Sequence, residues 1–204
     1  MFQTGCYRNV VLVAAESALA GVNYAEPQSA CLMGDGAAAL VLSQSDCNAV
    51  LGFSHCTFAE HIELCRVEGG GHKRPVFDYD ATCERDYRFT MDGPAVFRVA
   101  LQHLKPMVID LLEAWQSKTM TESSLIHWVP HQASPRALLA VKRLFQVSDR
   151  CFHIAVGEVG NMVAASLPFM IDRVRRNQLV AAGETIIAMG TSAGYSQAAI
   201  VFQL

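Results

Sequence analysis

Unbroken apolar runs alternate with segments of helical period along this chain. Residues 10–15, Val-Val-Leu-Val-Ala-Ala, are apolar at every position, which predicts a parallel strand buried on both faces. Such a strand needs pairing and cover, and nothing before it supplies them; elements later in the chain are the alternative source. The chain therefore reads as entering a domain in mid-course, with residues 1–5 as the last turn of a helix closing on Gly5. Residues 21–28 read as a loop, residues 37–42 as a strand of small side chains, and residues 50–58 as a further strand. Residues 60–90 are polar and aperiodic and contain Gly69-Gly70-Gly71, the pattern of an irregular excursion.

From Gly93 the period becomes helical. Val96, Val99, Ala100, Leu104, Met107, Val108, Leu111 and Leu112 recur at three- and four-residue spacing, so one helix face is buried. Pro106 is expected to kink or divide that helix. Residues 125–130 form an apolar run that Pro130 stops, since proline cannot donate to a sheet ladder. His131 and Gln132 follow, and Ser134-Pro135 read as N-cap and first position of an amphipathic helix through Leu144. Residues 152–156 predict a short strand ending at Gly157, and residues 164–176 a helix with Pro168 near its start. Residues 184–189 predict a strand, residues 190–194 a glycine-bearing turn, and residues 198–202 the last strand.

An internal echo links the two ends. Residues 9–13 and 36–42 resemble residues 184–188 and 196–202: each pair is an apolar strand and a small-residue strand with a glycine turn between them. Strands so close in sequence are most simply antiparallel neighbours. The echo predicts two related halves, the first cut short. The second half would run strand, helix, strand, helix, strand, strand.

Composition narrows the classes. With 51% apolar and 17% charged residues in 204, the chain can build one large core or two small ones and is not disordered. A net charge of −3 gives no electrostatic case for nucleic acid or an anionic membrane. No apolar run is long enough to span a bilayer, and Met1 is not followed by a signal-peptide pattern. Seven scattered cysteines, an odd number, favour reduced thiols and a cytoplasmic setting.

Five places are candidates for chemistry. In an α/β sheet, ligands and catalytic side chains collect at the carboxyl ends of strands, so His131-Gln132 is a site candidate; a histidine packed at a sheet edge is the alternative. Gly160-Asn161 precedes a helix, and Asn161 is either its cap or an amide donor aimed into a cleft beside His131. Gly190-Thr191-Ser192-Ala193-Gly194 is either an oxyanion turn or a plain hairpin turn. Met33-Gly34-Asp35-Gly36 lacks the spacing of a phosphate or calcium loop and reads better as a buried turn with Asp35 bonding backbone. Cys56, His61 and Cys65, with His55 and His72 nearby, do not have the spacing of a known zinc pattern, and no metal is expected there.

Several of these motifs together resemble one family. Pro130-His131-Gln132-Ala133, followed by Gly160-Asn161 with Ala164-Ala165-Ser166, resembles the paired active-site signature of β-ketoacyl-acyl-carrier-protein synthase III. Met33-Gly34-Asp35-Gly36-Ala37-Ala38-Ala39, Met91-Asp92-Gly93-Pro94-Ala95-Val96-Phe97 and residues 190–202 follow in that family's order. The resemblance implies an α/β thiolase-like layered fold. It divides the chain into the end of the N-terminal half with its excursion, residues 1–90, and the C-terminal half, residues 91–204. A homodimer, acyl-CoA and acyl-carrier protein as partners, coenzyme A or phosphopantetheine thioesters as substrates, and no further cofactor are implied as well.

The implied reaction is a decarboxylating Claisen condensation of an acyl thioester with malonyl-acyl-carrier protein. Loss of CO₂ from a malonyl thioester leaves an enolate, which two neutral hydrogen-bond donors stabilise; His131 and Asn161 match those donors. Gly93, Ser134, Arg136, Gly190 and Gly194 match positions along the substrate path. Among them Arg136 matches a carrier-protein docking arginine, while Ser134 stands where the family commonly has asparagine. The acyl-carrying cysteine lies, in the family, on the helix before the strand matched by residues 10–14. It is therefore expected outside these 204 residues, and Cys6, past the far end of that helix, is not its substitute.

Overall fold

In the computed structural model, which describes residues 6–44, 50–117 and 125–203, strand alternation sorts the core into two layers. A four-stranded sheet has the order β3 (Val50–Thr57), β8 (Ser196–Gln203), β7 (Thr185–Ser192), β6 (Ile126–Pro130). β6 and β7 are parallel, and the other two pairings are antiparallel. Trp128, Ile187, Met189, Ala199 and Val201 pack on one face against Leu104, Val108 and Leu111 of α2 (Gly93–Gln116) and Leu138 of α3 (Pro135–Leu144). Val129, Ile186 and Ala188 pack on the other against Met170 and Val174 of α5 (Ser166–Arg176). Cover on both faces is why β6 and β7 read as largely apolar runs, with His127 the interruption in β6.

The remaining elements are smaller. β1 (Asn9–Glu16) and β2 (Gly36–Ser43) form a separate antiparallel ribbon. Between them lies the one-turn helix α1 (Pro27–Ala30). Residues 59–92 hold 3₁₀ turns and the two-residue pair β4 (Cys65–Arg66) and β5 (Thr90–Met91), the irregular excursion that the composition predicts. α4 (Val156–Val159) is a single turn.

Several expectations are corrected. β1 is antiparallel to its neighbour rather than parallel, and it is not buried: Val11 is 63% exposed and Val13 68%. Pro106 does not divide α2, which runs through it. Pro106 and Gln102 are both exposed, so water can satisfy the carbonyl that the proline leaves without a partner. No strand forms at residues 152–156; a single bridge joins Phe152 to Trp128, and the chain then turns into α4. The reason is local: the Ala155 and Val156 N–H groups, which a strand would give to a neighbour, donate to Gln132 Oε1 at 2.8 and 3.0 Å. The second half therefore runs strand, helix, helix, strand, strand. The last turn spans residues 193–195, because β7 continues through Gly190 to Ser192. β3, although within residues 1–90, is hydrogen-bonded to β8 and so belongs to the C-terminal sheet. The expected helix end at residues 1–5 lies outside the described residues.

The echo between the two ends is visible in the pairing. β1–β2 and β7–β8 are both antiparallel, each with eight registered positions.

Candidate active site

β6 ends at Pro130, and the next residue, His131, carries its side chain past the sheet's carboxyl edge. Its N–H donates to Met189 O at 2.7 Å, which extends the parallel pairing by one residue. Beneath it lies Gly190, where a Cβ would stand 2.9 Å from His131 Cβ; only glycine lets the imidazole settle at that height. Burial holds the His131 pKa down at about 4. The ring is therefore neutral at pH 7, with one nitrogen free to donate.

Asn161 is seated by other contacts. Its N–H donates to Leu32 O at 2.7 Å and its carbonyl accepts from Gly34 N–H at 3.0 Å. The Met33-Gly34-Asp35-Gly36 motif is thus the bed on which the Gly160-Asn161 loop rests. Gly160 adopts φ +71°, a left-handed conformation suited to glycine. The Asn161 side chain accepts the Val163 N–H at Oδ1, 2.9 Å away. That bond closes an Asx turn and is not the helix cap expected of it, since α5 starts behind Ala165 without a side-chain cap. It also settles the amide's direction, because with Oδ1 engaged Nδ2 is left as a donor. Val163 is held at φ +47°, an unusual state for a β-branched residue, so the loop stores strain next to Asn161.

The other site candidates are placed as follows. Ser134 caps α3, its Oγ accepting from Ala137 N–H at 3.2 Å, and Arg136 is exposed on the first turn of that helix. Gly93 opens α2 behind the Asp92 cap, and Gly194 sits in the β7–β8 turn at φ +115°. A Cβ at Gly194 would have nothing within 4 Å and one at Gly93 only the Met91 methyl, so among the described residues neither contacts His131 or Asn161. Asp35 bonds backbone as expected, accepting from Leu19 N–H at 2.9 Å, but it is exposed rather than buried. His61 lies in ring contact with His103 and Tyr195. Among the described residues, no three His, Cys, Asp or Glu side chains converge as metal ligands. Residues 33–36 were legible only as a turn. Their part in seating Asn161 needed the tertiary contact.

Two histidines set the acid stability. His153 is also held at about 4, by burial first and then by neighbouring His127. Unfolded, both histidines would take up protons near 6.5. Between these values the unfolded chain binds more protons than the folded one, so stability rises with pH. The contribution is fully present above about pH 6.5, is lost as the pH falls toward 4, and levels off below. Each group accounts for up to ~1.4 kcal/mol per pH unit in that window. Urea midpoints measured at pH 7.5, 5.5 and 4 should fall in step; a flat series would contradict the assignment.

The fold is that of the thiolase-like proteins. It superimposes on 3-oxoacyl-(acyl carrier protein) synthase III from Pseudomonas aeruginosa PAO1 with a TM-score of 0.82 and 26% identity, over 99% of this chain and 60% of that one. It also superimposes on the priming β-ketosynthase of the R1128 polyketide biosynthetic pathway, with a TM-score of 0.81 and 26% identity over 98% of this chain and 58% of that one. The β-ketoacyl-[acyl-carrier-protein] synthase III of Acaryochloris marina is 33% identical over an alignment 204 positions long that covers 98% of this chain and 60% of the relative. Residues 1–57 match the family described as 3-oxoacyl-[acyl-carrier-protein (ACP)] synthase III, and residues 116–204 match its C-terminal part. The chain belongs to the 3-oxoacyl-acyl-carrier-protein synthase III family and spans about 60% of the length of these relatives.

Proposed function

We propose that this chain carries the malonyl-activating part of a decarboxylating condensing enzyme that acts in fatty-acid or related acyl-chain synthesis. The observation that supports it is a pair of neutral donors: His131 at the end of β6, kept uncharged by burial, and Asn161, whose Oδ1 is engaged so that Nδ2 is left as a donor. A malonyl thioester bound there loses its carboxylate as CO₂, and the C–C bonding pair moves onto the thioester oxygen as an enolate. The two N–H groups meet that charge as it develops. In the full condensation the enolate carbon attacks an acyl group held on a cysteine, which comes from outside these 204 residues. Without an acyl donor to attack, the carbon takes a proton from water, and the product is an acetyl thioester. Exposed Arg136 and Arg143, seven residues apart on α3, suit an acidic carrier protein.

Decarboxylation needs no nucleophile, so this chain can be tested as it stands. With malonyl-CoA and malonyl-acyl-carrier protein we expect slow CO₂ release that disappears in His131→Ala. Release that persists undiminished in that variant, or is absent from the parent chain, would overturn the reading.

The β1–β2 ribbon supports an incomplete assembly. Val11, Val13 and Val41 are mostly exposed on it, and contiguous apolar surface on an open ribbon invites association. A second copy, or a longer homologue bearing the cysteine, would cover it, including in a purely scaffolding role. Light scattering at micromolar concentration should report an oligomer; a stable monomer would count against this expectation.

A further inference from the structure

Gln132 follows His131 in the chain and is fully buried. All four of its side-chain hydrogen-bonding positions are used. Nε2 donates to Pro130 O at 2.8 Å and to His153 O at 3.3 Å. Oε1 accepts from Ala155 N–H and Val156 N–H, the amides that open α4. One side chain thus joins the strand end that presents His131 to the turn that leads, through Gly160, to Asn161.

Behind it stands a polar chain that runs from buried His153 and His127 out to part-exposed Glu184. Glu184 Oε2 accepts from Ala181 N–H at 2.7 Å and lies 3.1 Å from His127 Nε2, while His127 Nδ1 lies 3.1 Å from His153 Nε2. The two rings stack with centroids 5.3 Å apart. A carboxylate can only accept, so His127 donates from Nε2 to Glu184, and its Nδ1 shares a hydrogen with His153 Nε2. The His153 backbone is held as well, its N–H donating to Trp128 O at 3.0 Å. The carbonyl that Gln132 meets is therefore anchored to β6 and, through the rings, to the start of β7.

We propose that Gln132, backed by the His153–His127–Glu184 chain, is the positioning residue of the two-donor site, fixing the Asn161 loop relative to the His131 strand end. The inference rests on the decarboxylase reading for its purpose, but the clamp is measurable without it. In the 204-residue chain, the Ala155 and Val156 amides should exchange with solvent at least tenfold more slowly than solvated loop amides. Gln132→Ala should speed exchange at Ala155, Val156 and Asn161 by tenfold or more while leaving Ile187, in the sheet, unchanged.

Gln132→Glu gives a second readout. Its carboxylate keeps both accepted bonds but faces two carbonyl oxygens without a proton. The decarboxylation kcat should fall about tenfold with KM little changed, then recover as the pH is lowered and the carboxyl regains a hydrogen to donate. A purely structural glutamine would not produce that inverted pH profile. Fast exchange at Ala155 and Val156 in the parent chain would overturn the proposal. So would an unchanged Asn161 amide in a folded Gln132→Ala variant, or wild-type kcat and pH profile in Gln132→Glu. If Gln132→Ala unfolds, the parent exchange rates and the glutamate variant decide. Parent decarboxylation that is indifferent to His131→Ala would remove the reading and leave the clamp to stand or fall on exchange alone.

Discussion

Asn161→Asp is expected to abolish malonyl-thioester decarboxylation and leave the chain folded. The substitution keeps an oxygen where Oδ1 now accepts the Val163 N–H, so the bend at Val163 retains its bond. It replaces the Nδ2 donor with an anionic oxygen, turned toward the place where the enolate charge forms. Loss of one such donor costs roughly 10²–10³ in kcat, and a like charge at that distance adds to the loss. Asn161→Ala gives the complementary result. It should lose about the same 10²–10³ from the missing donor, and about 1 kcal/mol of stability from the missing turn bond. Together the two variants separate the turn bond from the donor. CO₂ release and thermal melting on the same preparations check both. If the aspartate variant decarboxylates at the parent rate, Asn161 is a turn residue and nothing more.

What could be read from the sequence depended on where the partner of each residue lies. β6, β7 and β8 were legible because α2, α3 and α5 cover both faces of their sheet with residues of this chain. β1 carries the same unbroken apolar run, yet Val11 and Val13 stay open. Hydropathy records that a strand suits burial, not that the covering surface belongs to the same 204 residues. The strand expected at residues 152–156 fails for a related reason. Its amides are taken by a glutamine 23 and 24 residues upstream, and no local pattern reports a capture at that distance. His131 and Asn161 stood out because polar residues at strand and helix junctions are conspicuous. Gln132 stood out only as the neighbour of His131, and His127 and His153 look like minor interruptions of apolar segments until the fold brings the three together.

Gly34 carries the second large effect, because it stands where the two parts of the chain meet at the site. A Cβ at Gly34 would lie 2.1 Å from Val159 O and 3.2 Å from Gly160 Cα. These are backbone atoms, so no rotamer change can relieve the overlap. Gly160 is no freer to move: it adopts φ +71°, and a Cβ there would stand 2.9 Å from Met33 O. Gly34→Ala must therefore push the two loops apart, weakening the Gly34 N–H to Asn161 O and Asn161 N–H to Leu32 O bonds together. Overpacking of this kind costs about 3 kcal/mol or more when the clash is with rigid atoms. For a chain of this size that corresponds to a fall in Tm of about 6–12 °C. Decarboxylation should drop with it even in the fraction that remains folded, because the displaced loop carries Asn161. Gly21→Ala, where a Cβ would meet nothing within 4 Å, should leave both unchanged and serves as the control. Equal melting temperatures for the two variants would mean that Gly34 does not seat the Asn161 loop.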